Sequence, residues 1–173
     1  MSLRRSGRRR VEFRFLRAGA MVVVLSLGLF GAGFVDRAFG MGAALTPGEN
    51  GVHTVAFVYD GDTVRTSGGL IIRYIGIDTP ERGEPFYSRA SKRNIELVKG
   101  KKVELYVCKG EPKDKYGRTL GWVYVDGLFV NGALLEEGLG RSLIIPPCGT
   151  EKRDELLGIE SRAQEAGVGI WAK

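Results

Sequence analysis

The chain has 173 residues, with 26 Lys and Arg, 20 Asp and Glu, a single His and a formal charge of +6. That length suits one domain, and the excess charge is confined to residues 1–40, where eight Arg face only Glu12 and Asp36. Residues 41–173 balance 18 basic against 18 acidic side chains, which excludes a binder with a wide basic face; one His excludes a His-rich zinc site and argues against a His-driven triad.

The first 17 residues hold seven Arg, and residues 18–35 then run without a charge. A basic stretch followed by an apolar one is the pattern of an export signal. Ala38 and Gly40 put small residues where a signal peptidase reads, so residues 1–40 are either a signal peptide cleaved before Met41 or a membrane anchor spanning 18–35. Either way the body is expected outside the cytoplasm, secreted or anchored. Residues 41–51, rich in Pro, Gly and Asn, read as a linker to a domain at 52–173.

Within that domain, residues 52–58 are β-rich and Tyr59-Asp60-Gly61-Asp62 makes a turn. Residues 63–66 and 70–77 flank Ser67-Gly68-Gly69 as a hairpin. Apolar spacing predicts a helix over 86–99, closed by Gly100. Strands follow at 102–107 and 120–125, separated by a polar loop at 109–118. Asn131 is placed to cap a short helix to Glu137, residues 141–145 are extended, and Thr150 is placed to cap a last helix to about Ala166, with Leu156, Leu157 and Ile159 inward. Short strands, short loops and helices after the third strand and at the end predict an α+β fold, mainly β, built on a small closed barrel. Trp122 and Trp171 read as core anchors.

Cys108 and Cys148 are an even pair in an exported chain, without a CxxC partner or a nearby His. They suit a disulfide or two separate buried thiols.

The polar residues gather at strand ends. Asp62 opens one strand and Asp78 closes another, so two carboxylates and a backbone carbonyl can form a hard-oxygen site suited to Ca²⁺. Glu81 follows on the same loop and can hold a water as general base. Arg73 and Arg118 offer planar forks for a phosphodiester, a geometry Lys lacks. Singly each piece is an ordinary turn or surface residue; their order and spacing carry the information.

Asp60-Gly-Asp-Thr63, Arg73-Tyr-Ile-Gly-Ile-Asp-Thr-Pro-Glu81 and Asp114-Lys-Tyr-Gly-Arg118 together resemble the thermonuclease family of staphylococcal-nuclease-like endonucleases. Val130-Asn131, Gly138-Leu139 and Gly169-Ile170-Trp171 extend the resemblance over nearly all of residues 52–172. It implies a five-stranded OB-fold barrel with three helices, acting as a monomer that hydrolyses DNA and RNA with Ca²⁺ and leaves 3′-phosphate products. It implies Asp62, Asp78 and the Thr79 carbonyl as metal ligands, Glu81 as activator of the attacking water, and Arg73 and Arg118 as the phosphate clamp. Lys115 and Tyr116 match positions beside the nucleotide's terminal phosphate. The resemblance also sets Cys108 at a strand end facing the loop of Cys148, which favours the disulfide. Two features depart from the family: the loop after Glu81 is shorter, and residues 141–145 carry no aromatic where its best-known member has tyrosines. Barrels of this kind also occur as non-catalytic modules that bind nucleic acid. Such modules usually lose the acidic set or the arginines, and all five are present here.

Overall fold

The computed structural model describes residues 50–172; the leader, either signal or anchor, and linker residues 41–49 lie outside the described residues. Eight strands, three α-helices and two short 3₁₀ turns follow in the order β1 Gly51–Val58, β2 Thr63–Thr66, β3 Ile71–Tyr74, β4 Gly76–Asp78, α1 Tyr87–Val98, β5 Lys102–Val107, β6 Thr119–Val125, β7 Leu128–Phe129, α2 Val130–Glu136, β8 Arg141–Leu143 and α3 Arg153–Ala166. Five of the strands pair in the order β3-β2-β1-β5-β6, and a parallel β3–β6 pairing closes the ring. This is the expected five-stranded OB-fold barrel with three helices. Closure removes the open edges that a flat sheet would expose.

Alternation of β-branched residues drives the barrel. Val55, Val64, Ile72, Val103, Leu105 and Val123 point inward and are fully or almost fully buried. Leu134 and Leu135 of α2 and Leu156 of α3 complete the core. β1 serves two neighbours, pairing β5 along its first half and β2 along its second, with a bulge between Val55 and Phe57. Such a bulge bends the strand, as a small barrel requires.

The stretch 70–77 forms two strands rather than the single one expected. Gly76 has φ +74°, and a Cβ there would come within 2.5 Å of Leu156 and 2.8 Å of Trp122. The chain therefore bends at Gly76, leaves the barrel, and lets β4 pair with β8, placing Asp78 opposite Arg141. Asn131 does not cap α2. Its buried side chain accepts from Val123 N–H at 3.0 Å and donates to Ile75 C=O at 2.8 Å, satisfying the backbone exposed by that bend. Thr150 is likewise not a cap: it lies in the 3₁₀ turn Cys148–Thr150 and donates to Pro147 C=O. α3 begins three residues later at Arg153, and its Leu157 is exposed, while Leu156 is buried and Ile159 packs against the core. Trp122 is a core residue; Trp171 is only partly buried, under the Arg141 side chain.

Candidate active site

The turn between β1 and β2 is held at every residue. Asp60 Oδ1 accepts from Asp62 N–H at 3.0 Å, closing an Asx turn. Gly61 is required because a Cβ there would lie 2.7 Å from the Thr79 side chain. With that approach open, Thr79 donates its N–H and its hydroxyl to Asp62 Oδ2, each at 2.9 Å, while Thr63 donates its hydroxyl to Asp62 Oδ1 at 3.1 Å. Asp62 is 4% exposed. Its own C=O accepts from Tyr74 N–H at 2.8 Å. Tyr74 in turn donates its hydroxyl to Asn94 Oδ1 at 3.0 Å, and Asn94 Nδ2 donates to Asp60 C=O at 2.9 Å. α1 thus reaches across and fixes the turn that presents Asp62.

Arg73 sits on β3 opposite Thr63, so its side chain arrives beside that turn. Its Nη1 donates to the carbonyls of Tyr74 and Ile77, both at 2.8 Å, and lies 3.2 Å from Asp62 Oδ2. Nη2 donates to Asp78 Oδ1 at 2.9 Å. One guanidinium therefore bridges both carboxylates and also ties down the bend before β4. Burial pushes the Asp62 carboxyl up to about 6; the Arg73 charge and the Thr79 hydrogen bonds pull it down, and the Asp60 charge adds to the rise. The Tyr74 hydroxyl is raised well above its ordinary value, chiefly by burial.

These residues fit a hard divalent cation. Among the described residues there is no group of three or more His, Cys, Asp and Glu side chains able to hold a metal, so any site here must combine two carboxylates with backbone oxygen and water. Asp62 and Asp78 lie close enough to be spanned by one guanidinium, and so to share one cation. Thr79 is locked against Asp62, which sets its peptide beside the two carboxylates.

Arg73 also lines a cleft of about 360 Å³, together with Asp114, Lys115, Tyr116 and Arg118 of the β5–β6 loop. Arg118 donates Nε to Asp114 Oδ2 at 2.7 Å, and Asp114 Oδ1 accepts from the N–H groups of Tyr116 and Arg118. Its terminal nitrogens make no hydrogen bond with the described residues and remain available. Burial pushes the Asp114 carboxyl up, but hydrogen bonds from the Arg118 side chain and from both backbone N–H groups outweigh it and hold the carboxyl below its ordinary value. Lys115 and Arg118 both lie over the Tyr116 ring, which is 71% exposed. Leu143, Ile145, Pro146 and Pro147 give the cleft an aliphatic part of its lining. Cys108 and Cys148 form a disulfide with Cα atoms 5.6 Å apart, and both line this cleft.

The structure therefore brings together Asp62, Arg73, Asp78 and Thr79, and sets Lys115, Tyr116 and Arg118 along the same cleft as Arg73. Glu81 stands at the head of a tight turn, its N–H on Glu84 Oε2 at 2.7 Å; its exposed carboxylate makes no hydrogen bond or ion pair with the described residues. Asn94 escaped the sequence reading. A polar residue midway along the buried face of a helix was its only signal.

The rim of a closed β-barrel thus pairs two carboxylates with one arginine, beside a cleft carrying a second arginine. The family model described as "Staphylococcal nuclease homologue" matches residues 71–173, well over half the chain, and the protein belongs to that family. The match starts at β3, after the Asp62 turn. Over 123 residues the chain is 42% identical to the "SPbeta prophage-derived endonuclease YokF" of Bacillus subtilis (strain 168), covering 66% of this chain and 42% of that one. It is 40% identical over 123 residues to "Endonuclease YncB" of the same strain, covering 66% and 58%. Over 101 residues it is 35% identical to the "Probable staphylococcal-like nuclease CAN1" of Oryza sativa subsp. japonica, covering 58% and 28%. The chain thus spans about half the length, or less, of these curated relatives.

Proposed function

We propose that the protein is an exported, Ca²⁺-dependent endonuclease that hydrolyses phosphodiester bonds of DNA and RNA. The observation that carries this reading is the Arg73 guanidinium bridging Asp62 and Asp78 at the mouth of a cleft that also presents Arg118. The relatives named endonucleases support it. The basic-then-apolar leader and the Cys108–Cys148 disulfide support export.

Asp62, Asp78 and the Thr79 carbonyl would hold Ca²⁺, which when bound supplies charge neutralisation at the scissile phosphate. Arg118 has free terminal nitrogens to grip phosphate oxygens as charge grows on them, and Asp114 aims it. Arg73 is poised to exchange a carboxylate partner for the phosphate. Lys115 and Tyr116 flank the bound nucleotide. Glu81 takes a proton from the attacking water, whose oxygen bonds to phosphorus as the P–O5′ bond breaks; the departing O5′ takes a proton from solvent, and the products carry a 3′-phosphate and a 5′-hydroxyl.

The test is cleavage of plasmid and single-stranded substrates by the purified chain with Ca²⁺, with Mg²⁺ and with a chelator, beside Glu81→Gln. Cleavage that requires Ca²⁺ and is largely lost in the variant is the expected result. Binding without cleavage in either metal would make the protein a nucleic-acid-binding module on the same barrel. Full activity of Glu81→Gln would remove the base assignment alone.

A further inference from the structure

Arg73 and Asp78, joined by an ion pair, line two different clefts. Arg73 lines the cleft of Lys115, Tyr116 and Arg118, whereas Asp78 and Thr79 line a second one, of about 440 Å³. Arg141 closes that second cleft. It lies opposite Asp78 in the β4–β8 pair, is exposed, and forms no ion pair among the described residues. Its guanidinium carbon stands 4.3 Å from the Trp171 ring centroid, a contact that restricts the side chain. The strand that carries it is anchored next door, where Ser142 donates its N–H and its hydroxyl to Glu160. Glu84, the other acidic side chain lining this cleft besides Asp78, accepts the Glu81 N–H through Oε2.

An endonuclease must hold nucleotides on both sides of the bond it breaks. The first cleft accommodates one side; the strand leaving the carboxylates in the other direction meets Arg141. We propose that Arg141, supported by Trp171, is a second phosphate-binding position that takes the phosphodiester neighbouring the scissile one. The inference rests on the nuclease reading and extends it, since neither the metal nor the Arg118 clamp requires it. A guanidinium stacked on an aromatic ring gives a fork with little conformational entropy left to lose, which suits a backbone contact blind to base identity. Polynucleotide is then bound along a track of Arg118, Arg73 and Arg141, and one or two nucleotides occupy only part of it.

The experiment measures KM for single strands of two, six and twelve nucleotides, and the salt dependence of twelve-mer binding, for the wild type, Arg141→Met and Arg141→Lys. Met keeps Trp171 covered without the charge. In the wild type, extension beyond two nucleotides is expected to lower KM. Arg141→Met is expected to lose about five- to tenfold of that gain, the size of one charge-assisted contact at an exposed site, with kcat little affected. It should also flatten the slope of log affinity against log salt by about 0.7, one single-strand phosphate contact. Arg141→Lys should restore the slope and recover the KM gain in part, which a purely structural role for Arg141 would not produce. A wild type that cleaves without any benefit from strand length overturns the proposal whatever the variants do. So does an Arg141→Met that keeps wild-type slope and length dependence, with the nuclease reading left standing. A wild type that neither binds nor cleaves the strands overturns both.

Discussion

Thr79 and Asp62 are joined by two hydrogen bonds to a single oxygen, the N–H and the hydroxyl of Thr79 both donating to Asp62 Oδ2 at 2.9 Å. The two residues come from turns 17 positions apart, and the junction closes only because Gly61 leaves room for the Thr79 side chain. Gly61→Ala is therefore expected to push Thr79 off Asp62. Overpacking at such a contact costs about 1–3 kcal/mol, visible as a lower urea midpoint. Ca²⁺ affinity should fall with it, by calorimetric titration. A Gly61→Ala protein with wild-type midpoint and affinity would show that Thr79 does not need this approach.

The same carboxylate sets a pH dependence. Its folded value, about 6, lies above the ordinary 3.8, so without metal this group favours the fold fully below 3.8 and loses that contribution as pH rises through 6. On the proposed Ca²⁺ role, the cation would compete with the proton for this carboxylate. Ca²⁺ affinity is expected to fall by roughly tenfold between pH 7 and pH 5, since at most one proton is exchanged per unit below 6. Ca²⁺-induced thermal stabilisation measured across that range checks it; a flat response would place the cation away from Asp62.

Much of the barrel is legible in the sequence, because alternating β-branched residues and Gly-rich turns are local signals and Val55, Val64, Ile72 and Val103 obey them. The bend at Gly76 is not local. It depends on Leu156 and Trp122 crowding the glycine and on Asn131 receiving the freed carbonyl, all distant in the chain. Asn131 and Thr150 show the same limit: a residue type suited to capping is equally suited to bridging buried backbone, and only the packing decides. The candidate site residues are readable as types at fixed spacing. That Arg73 is tied to both carboxylates, and that Arg141 faces a second cleft, follows from the β4–β8 ribbon, whose existence depends on that bend.

Asn94 has a matching prediction. Its amide holds the Asp60 carbonyl and accepts the Tyr74 hydroxyl inside the fold. Asn94→Ala leaves the buried Tyr74 hydroxyl and the part-buried Asp60 carbonyl without this partner, at about 1–3 kcal/mol for such a loss. Tyr74→Phe removes the other partner and is expected to cost less, because Asn94 keeps its bond to Asp60. Chemical unfolding of the two variants and their double mutant separates the terms; equal losses would mean that the Asp60 bond carries no weight.

The disulfide links stability to the cleft. Cys108 and Cys148 are 40 residues apart, a closure worth about 4 kcal/mol in the chain-entropy account. Replacing both by Ala is expected to lower the unfolding midpoint accordingly. Because both cysteines line the cleft of Arg118 and Tyr116, KM for polynucleotide should rise as well. A double variant that loses stability but keeps KM at temperatures where it is fully folded would confine the bridge to a structural role.

Asp114 determines where Arg118 points. It accepts the Arg118 Nε and N–H and the Tyr116 N–H, and these bonds outweigh burial in holding its carboxyl below the ordinary value. The stabilisation they give is present above the ordinary carboxylate range and is lost as pH falls through the lowered folded value. Asp114→Asn keeps an acceptor for the backbone but removes the charge opposite Arg118. Misplacing a phosphate-gripping group costs roughly tenfold to a hundredfold in rate, so kcat/KM is expected to fall in that range with the Ca²⁺ affinity unchanged. Arg118→Lys is expected to lose more, since one ammonium cannot serve Asp114 and a phosphate with the separate nitrogens of a guanidinium. Steady-state kinetics of both variants decide the point: if Asp114→Asn matched the wild type, the arginine would be positioned by the Tyr116 ring instead.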